Sequence, residues 1–464
     1  MRALRQLLAT KDFDAWSYSI FWPQMREELP LLDIVNSTVE DIKFAYNAWS
    51  LLRLNMFFGM RHPTVLSGLV NTRPSMDITC RGNRIFYEHA TVNGSLSSNR
   101  IKVALTLPGP KAQPIQLFPW EEVISKSIAS IENRGIELVL GMENGMSEAV
   151  SSRCNYHVFI PQYGSIGSLS MLSALSIAIH TAHTAYYCLQ KSTNDAGLLK
   201  NTTIGCTSGS NNLYRVAKTL PQESNTVKSS VEQTRAVLKE RRKSYALQIA
   251  IIMHNDLGDR NIGAVIRNAN VFNCEQMIIL NRRRFNKRGA IGTQHVLDLN
   301  YYKDINDPAL EYILRVYVVW LLYPYYPYLQ IYSNLHPNGF NSGPFIQHGN
   351  DELKSWQSTK HHLTREHPLI QWFPHLLNSE LYLDDENTLL LAIEETKRKG
   401  YKGILLAVPE EGTSPHPQLA HISSRTLFIT HPNYLNLNVQ RGLNAALATS
   451  IALERIRFCI THLS

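Results

Sequence analysis

The chain of 464 residues has few of the features that mark disulfide-rich, zinc-ribbon or membrane-spanning proteins. Its six cysteines are scattered and none belongs to a C-x-x-C pair, so the sequence indicates neither a disulfide framework nor a zinc ribbon. The most apolar run, residues 312–332, is interrupted by Arg315, Pro324 and Pro327 and falls short of the ~20 apolar residues that a membrane-spanning helix needs. We therefore expect a reducing compartment and no membrane partner.

The chain also lacks a large excess of either charge. Lys and Arg number 46 against 38 Asp and Glu, which gives a net charge of +8, and this modest excess favours an anionic partner such as RNA. Apolar residues make up 44% and charged residues 18%, which is ordinary for a folded protein and excludes wholesale disorder. The length favours two or three domains.

The opening stretch, MRALRQLLATK, contains Arg2, Arg5 and Lys11 and no acidic residue, with leucines at helical spacing. A mitochondrial targeting helix has this composition, and so does an ordinary basic N-terminal helix. We expect a mitochondrial location, with the cytoplasm and the nucleolus as alternatives.

A polar segment divides the chain. Residues 189 to about 232 are rich in Ser, Thr, Asn and Gly and have no apolar periodicity, whereas the sequence on either side alternates strand-like apolar runs with helical patterns. Such alternation is typical of α/β domains with a mostly parallel sheet. The predicted organisation is an N-terminal extension (1–27), a first lobe (28–188), a polar linker (189–242) and a second lobe (243–460) with an aromatic insertion (300–385).

Two stretches resemble each other and predict an internal duplication. Residues 31–58 and 254–280 share a leading Asp, a helix with apolar positions in phase, an aromatic residue near its end and a closing apolar strand. The comparison pairs Asp33 with Asp256, Ile42 with Val265 and Trp49 with Phe272, and it sets Phe44 against Arg267.

Three segments carry a resemblance to a known family. DRNIGAVIRNANVFNCEQMIIL, with Asn261, Gly263 and Arg267, resembles motif 1 of the SpoU/TrmH-type RNA 2'-O-methyltransferases of the SPOUT (α/β-knot) superfamily. In the first lobe, ELVLGMENGMSEAV and CNYHVFIPQYGSIGSLSMLSALSIAIH resemble motifs 2 and 3. Two departures stand out: the step from Glu143 to Gly145 is one residue shorter than usual, and Ser170 replaces an Asn.

The resemblance implies the fold class: two SPOUT-like α/β-knot lobes that form an intrachain pseudodimer. The second lobe is expected to be incomplete, because no Gly-x-Glu segment lies between RTLFITHP and residues 437–439, where Leu437, Asn438 and Val439 resemble motif 3. In this family motif 1 faces the cofactor pocket of the other subunit. The expected result is one composite site, with the pocket in the first lobe and the arginine from the second.

The resemblance also implies the site residues. Arg267, Asn261 and Glu143 are the expected catalytic group, in which Arg267 orients the 2'-hydroxyl and stabilises the alkoxide, since a guanidinium with a pKa above ~12 is a poor base. S-adenosylmethionine is the expected cofactor. The residues expected to bind it are Leu140, Gly141, Met142, Gly145, Ile160, Pro161, Ser168, Leu169 and Ser170.

A basic run follows the second strand of motif 1. NRRRFNKRG holds five cations in nine residues, with an aromatic residue among them. Charge runs are often only solvated surface, but this one lies beside Arg267, and we expect it to bind RNA phosphates. The expected RNA-binding residues are Arg282, Arg283, Arg284, Lys287 and Arg288. The histidines of residues 300–385 lack metal-ligand spacing, and no metal site is expected.

Two functions are compatible with these features. The first is methylation of ribosomal RNA during ribosome biogenesis, from which a tRNA-modifying enzyme would differ only in substrate. The alternative is a catalytically degenerate assembly factor for the large ribosomal subunit, which binds rRNA without methylating it. The expected partners are rRNA and ribosomal or assembly proteins, with a further SpoU-like subunit as an option and no DNA.

Overall fold

The computed structural model describes residues 34–67, 86–130, 134–142, 145–165, 169–194, 231–256, 261–323, 369–370, 373–410, 416–429 and 443–463. Both ends of the segment predicted as a linker are helical, since one helix continues to Asn194 and another begins at Val231.

The first lobe is built on a parallel sheet of seven strands. The elements in chain order are β1 (Val35–Val39), α1 (Ala45–Phe57), β2 (Thr64–Val65), β3 (Thr91–Val92), β4 (Ile101–Leu105), β5 (Ala112–Pro114), α2 (Trp120–Ala129), β6 (Ile136–Leu140), α3 (Glu148–Ser151), β7 (Tyr156–Phe159) and α4 (Met171–Asn194). The strand order is β3-β2-β1-β6-β4-β7-β5. All five residues of β6 are buried, as expected for a central strand that is covered on both faces.

The second lobe has its own sheet of seven strands. Its elements are α5 (Val231–Arg242), β8 (Gln248–Asn255), α6 (Asn261–Val271), β9 (Gln276–Asn281), β10 (Asp298–Tyr302), α7 (Pro308–Val316), β11 (Tyr317–Tyr323), β12 (Glu380–Tyr382), α8 (Glu386–Arg398), β13 (Gly403–Val408), α9 (Pro417–Ile422), β14 (Arg425–Phe428) and α10 (Ala445–His462). The order β10-β9-β8-β13-β11-β14-β12 repeats the first sheet, strand for strand.

The predicted α/β architecture with two lobes is confirmed. The second sheet has a counterpart of β6, because β13 occupies the place that β6 has in the first sheet. The sequence comparison looked for the Gly-x-Glu segment between RTLFITHP and residues 437–439, whereas β13 lies earlier in the chain. Pro409 and Glu410 directly follow β13, where Gly141 and Met142 directly follow β6.

The pairing of the two motif 1 segments needs a correction of register. The structure aligns β1 with β8 and α1 with α6, so Asp41 after β1 corresponds to Asp256 after β8. Phe44 precedes α1, and in this register the residue that corresponds to Arg267 is Leu52, which is buried. The sequence comparison was shifted by the eight residues from Asp33 to Asp41, which is about two helical turns and therefore keeps the apolar positions in phase.

Part of the predicted insertion, residues 300–385, belongs to the second sheet. β11 lies between β13 and β14, and β12 forms the edge beside β14. The apolar run that begins at Tyr317 is thus a strand of the sheet. Its enrichment in aromatic residues led the sequence analysis to assign it to an insertion. Within the described part of the chain, we find no helix with the length and apolar character needed to cross a membrane.

The two lobes share one interface, formed mainly by α4 and α10, which pack against each other. α10 also packs on α6, and fifteen of its eighteen residues are buried. One continuous hydrophobic cluster includes residues of both lobes. The apolar stripe of α6 belongs to this cluster: Ile262, Val265, Ile266, Ala269 and Phe272 are fully buried. The lobes therefore form an intrachain pseudodimer.

Candidate composite site between the two lobes

Arg267 crosses the interface between the lobes. It lies off the buried stripe of α6 and is half-buried, and its Nη2 donates a hydrogen bond to the carbonyl oxygen of Leu169 at 3.1 Å. Leu169 belongs to the turn that precedes α4 in the first lobe. The guanidinium is thus held against the first lobe, while its catalytic role remains a prediction.

The loop after β7 is fastened to the second lobe. The amides of Tyr163 and Gly164 both donate to the carbonyl oxygen of Val271, at 2.8 and 2.9 Å, and Ser165 Oγ donates to Asn270 Oδ1 at 3.0 Å. The last carbonyls of a helix have no partner within the helix, so the end of α6 is a natural acceptor. Arg241 of α5 adds a bond from its Nη1 to the carbonyl oxygen of Tyr163 at 2.7 Å. Loop 160–165 therefore depends on the second lobe for its conformation.

Gly164 is required by the closeness of this contact. A Cβ atom at Gly164 would lie 1.8 Å from the carbonyl oxygen of Asn270, far inside van der Waals contact. The absence of a side chain allows the backbones of the two lobes to meet.

The predicted cofactor-binding residues that the structure describes lie at one edge of the first sheet. They follow the carboxyl ends of β6 and β7 or precede α4, and they comprise Leu140, Gly141, Met142, Gly145, Ile160, Pro161, Leu169 and Ser170. Glu143 and Ser168 lie outside the described residues. Met142 and Gly145 form an antiparallel bridge, and Gly145 has a φ of +110°, a conformation that favours glycine. A tight turn therefore leaves β6 at this edge.

Ser170 is engaged at the start of α4. Its Oγ accepts a hydrogen bond from the amide of Ser173 at 3.0 Å and donates to Ser173 Oγ at 2.8 Å. This is an N-cap, which satisfies one of the amides left without a partner at the start of a helix. The hydroxyl that the sequence assigned to the cofactor thus stabilises α4.

Asn444 holds the same position in the second lobe. It precedes α10, and its Oδ1 accepts a hydrogen bond from the amide of Ala446 at 2.9 Å. The turn that corresponds to motif 3 is therefore Leu443–Asn444, not residues 437–439, which lie outside the described residues. The three Leu-Asn pairs of YLNLNVQRGLNA gave the sequence comparison three similar choices.

Asn261, the second predicted catalytic residue, is buried in a polar cluster at the interface. Its Oδ1 accepts hydrogen bonds from the hydroxyl of Tyr46 and from Asn444 Nδ2, the latter at 2.8 Å. Asn444 Nδ2 also lies 2.9 Å from the Tyr46 hydroxyl. Asn261 is 3% exposed and joins α6 to α10 and to α1 of the first lobe. Sequence reasoning missed Tyr46 and Asn444, since neither partner is visible without the interface.

Sequence reasoning also missed Leu107, one of two exposed apolar side chains at the same sheet edge. Leu107, which follows β4, is 58% exposed, and Met142 after β6 is 42% exposed. β4 lies between β6 and β7, so its loop emerges between the two loops described above. Exposed apolar groups at the carboxyl edge of a parallel sheet suit the flat face of a nucleoside base. The signal was the Leu-Pro-Gly stretch after a strand-like run.

The basic run lies directly against α6. Arg282, Arg283, Arg284, Lys287 and Arg288 are exposed. Asn255 Nδ2 donates to the carbonyl oxygens of Arg282 at 2.6 Å and Arg284 at 3.1 Å, and a Cβ atom at Gly263 would lie 2.7 Å from the carbonyl oxygen of Asn286. The backbone of the run is thus fixed beside the first turn of the helix that carries Arg267.

Two buried histidines lie in α4, away from these loops. Burial lowers the pKa of His183 to about 4, and burial lowers the pKa of His180 well below its ordinary value. His180 Nε2 and His183 Nδ1 have no hydrogen-bond partner among the described residues. Both rings are therefore neutral in the folded protein at neutral pH.

No protein-family model and no curated protein matches the chain. Solved structures do match it. A probable methyltransferase from Bordetella pertussis Tohama I is 18% identical, with 35% of this chain covering 98% of that chain at a TM-score of 0.29. An AdoMet-bound rRNA methyltransferase from Sinorhizobium meliloti is 14% identical over 48% of this chain and 60% of that chain, with a TM-score of 0.27. The TrmH/SpoU tRNA modifying enzyme of A. aeolicus is 13% identical over 48% and 83%, also at 0.27. At these values, a functional assignment depends on the contacts within this chain.

Proposed function

We propose that the chain is a SpoU-like RNA ribose 2'-O-methyltransferase with one composite site. The first lobe supplies the loops that hold the cofactor, and the second lobe supplies Arg267. The observation that supports this most strongly is the hydrogen bond from Arg267 Nη2 to the carbonyl oxygen of Leu169 in the other lobe. The corresponding position of the first lobe is Leu52, which has no group to donate, so the opposite site has no arginine at that position.

S-adenosylmethionine fits the carboxyl edge of the first sheet. The exposed side chains of Leu107 and Met142 offer an apolar surface to an adenine ring. The bound cofactor would supply an electrophilic methyl group. The residues that would hold it are the loops after β4, β6 and β7.

Arg267 has the chemistry to position the accepting hydroxyl. A guanidinium presents five N–H donors in a rigid fork, and the bond to Leu169 fixes the direction of this fork toward the turn before α4. Such a group can bind a ribose hydroxyl or its neighbouring phosphate and stabilise the negative charge that develops on the oxygen.

The basic run would bring RNA to this site. Its five exposed cations lie beside α6, and a rigid backbone beneath them reduces the entropy lost when they bind phosphates. We propose ribosomal RNA as the target, ribosome biogenesis as the process, and mitochondria as the compartment, the last from the basic, acid-free opening of the sequence.

The identical strand order of the two sheets supports origin by tandem duplication. A trefoil knot in each lobe stays a prediction from the resemblance.

A catalytically degenerate assembly factor is the second candidate. The observation that favours it is Ser170, which replaces the family's Asn and uses its hydroxyl to cap α4. Such a protein would bind rRNA through the basic run and act with ribosomal or assembly proteins, or with a further SpoU-like subunit.

Calorimetric titration of the full chain with S-adenosylmethionine separates the two functions. We expect one site per chain with affinity in the micromolar range, and transfer of a labelled methyl group to rRNA from cells that lack the protein. Mapping of 2'-O-methylation with and without the protein would then give the nucleotide. Binding of rRNA without binding of the cofactor would reject the enzyme and support the assembly factor.

A further inference from the structure

A compact cluster of two histidines and an aspartate lies at the carboxyl edge of the second sheet. His254 belongs to the end of β8, Asp256 follows β8, and His416 precedes α9. His254 Nδ1 lies 3.5 Å from Asp256 Oδ1, and His416 Nε2 lies 3.7 Å from Asp256 Oδ2. One ligand atom from each residue falls within 4.8 Å of the other two. The position mirrors the edge of the first sheet that carries the proposed cofactor loops.

The hydrogen bonds of His254 leave a lone pair facing the carboxylate. His254 Nε2 lies 3.1 Å from Gln418 Oε1, and an amide oxygen can only accept, so Nε2 carries the proton of the neutral ring. His254 Nδ1 is buried and has no hydrogen-bond partner among the described residues, although His254 is 6% exposed. A ring nitrogen and a carboxylate oxygen that both present lone pairs need a cation between them.

The surroundings hold these groups in place. The amide of Asp256 donates to Glu410 Oε2 at 3.0 Å, and Asn281 Nδ2 donates to Asp256 Oδ1 at 2.6 Å. Metal-binding histidines usually donate their second ring N–H to an oxygen acceptor, as His254 does to Gln418. The cluster therefore has supporting bonds of the kind found around metal ligands.

We propose that His254 Nδ1, Asp256 and His416 Nε2 bind one divalent transition-metal ion, and that zinc is the best fit. Two imidazoles and one carboxylate are a common zinc set, with a water or another ligand in the fourth position. Ligands about 2.0–2.2 Å from a tetrahedral ion lie roughly 3.3–3.6 Å apart, close to the two contacts with Asp256.

Binding requires two local adjustments. The rings of His254 and His416 are stacked, with centroids 3.4 Å apart and planes 10° apart, and they must splay for both nitrogens to point at one ion. The proton on His416 must move from Nε2 to Nδ1, which opens the long 3.3 Å bond from the amide of Gln418. The ion would then tie β8 to α9 and close the edge of the second sheet. This role is separate from methyl transfer.

The competing state is a proton in place of the metal, which would make His254 an imidazolium paired with Asp256. Metal analysis of the full chain, purified without a histidine tag and dialysed, distinguishes the two. We expect about one zinc per chain in the wild type, and a loss of at least about tenfold in zinc affinity for Asp256→Asn, which keeps the side-chain shape. His375→Ala, which removes an exposed histidine of the same lobe, should retain the wild-type zinc content.

Two further measurements complete the test. Cobalt added to the metal-free protein should give a visible absorption band of a four- or five-coordinate site, and this band should vanish in Asp256→Asn. Zinc should raise the melting temperature of the metal-free wild type and leave that of the variant unchanged. No cobalt band, or equal zinc content in the wild type and in Asp256→Asn, would overturn the proposal.

Discussion

Ser176 and Ser450 face each other across the interface between the lobes, with their hydroxyl oxygens 3.0 Å apart. Each is the sixth residue of its helix, Ser176 of α4 and Ser450 of α10. In a symmetric dimer, equivalent residues meet on the two-fold axis. A pseudo-two-fold axis therefore passes between these hydroxyls and relates the two lobes of one chain.

Replacing either serine by leucine should destabilise the chain by about 1–3 kcal/mol, because both sites are fully buried and the opposite helix leaves no room for a larger side chain. The pseudo-symmetry predicts similar losses for Ser176→Leu and Ser450→Leu in urea denaturation. Thr184→Leu, at a partly exposed position of α4, is the control and should change stability by less than about 0.5 kcal/mol. A loss in one serine variant alone would argue against the axis.

Arg267→Ala should reduce methyl transfer by about 100-fold or more, because it removes a donor aimed at the developing charge. The affinity for S-adenosylmethionine should fall much less than the rate, because Arg267 bonds to the turn at Leu169 whereas the loops after β4 and β6 are built by the first lobe. Single-turnover assays with labelled cofactor and calorimetry measure the two effects. Arg315→Ala, which removes an exposed arginine paired with Glu311, should behave as the wild type. Full activity of Arg267→Ala would reject the composite site.

Gly164→Ala should weaken both the fold and cofactor binding, because the new Cβ would collide with the carbonyl oxygen of Asn270. We expect a loss of about 1–3 kcal/mol in the free energy of unfolding and a clear drop in affinity for S-adenosylmethionine. Gly109→Ala is the control for the free energy of unfolding alone, since a Cβ there meets its nearest atom at 3.9 Å. Equal stability of the two variants would show that loop 160–165 does not need the second lobe.

Replacing Arg282, Arg283 and Arg284 by alanine should weaken RNA binding and flatten its salt dependence by roughly 0.7–0.9 in log-log slope for each lost phosphate contact. Filter binding across a range of salt concentrations measures the slope. The control replaces Lys397, Arg398 and Lys399, which are exposed on and just after α8, and so removes the same charge elsewhere. If both triple variants lose affinity equally, net charge rather than the basic run binds the RNA.

Acid should destabilise the chain through His180 and His183. Both pKa values are depressed by burial, that of His183 to about 4, whereas an unfolded histidine has a pKa near ~6.5. Between about pH 6.5 and about pH 4 the unfolded state binds protons that the folded state does not bind. The free energy of unfolding therefore decreases as the pH is lowered through this range. Each histidine contributes a slope of about 1.4 kcal/mol per pH unit at most.

Urea denaturation at pH 7.5, 6.0 and 5.0 tests this expectation. His183→Phe should reduce the loss of stability between the two lower values, and His375→Ala, at an exposed position, should leave it unchanged. An unaltered slope in His183→Phe would show that this ring is not responsible.

The sequence predicted those parts of the fold that local patterns determine. Runs such as GIELVLG and GILLAV became the buried central strands β6 and β13, and the apolar stripe of motif 1 became the buried face of α6. The direction of Arg267 toward the other lobe was also expected, because the residue lies off that stripe. Each of these rests on a period of 2 or 3.6 residues or on a motif of fixed spacing.

Long-range pairing could not be predicted in the same way. The register between α1 and α6 was ambiguous because a shift of two turns keeps the same apolar phase. The second motif 3 turn was misplaced because α10 is buried on all sides and gives no phase from which Asn444 could be identified as its cap. The hydrogen bond of Tyr46 to Asn261 depends on the packing of the two lobes. The stacking of His254 on His416 joins residues that only the crossovers within the second sheet bring together.

The contact of loop 160–165 with α6 also constrains how the protein is made. Ser165 leaves the ribosome before its partner Asn270, which follows 105 residues later in the chain. A nascent first lobe can pair its own strands, but this loop lacks its hydrogen-bond partners in α6 until α6 has been translated and has folded. The first lobe therefore cannot complete the proposed cofactor site until the second lobe has been translated.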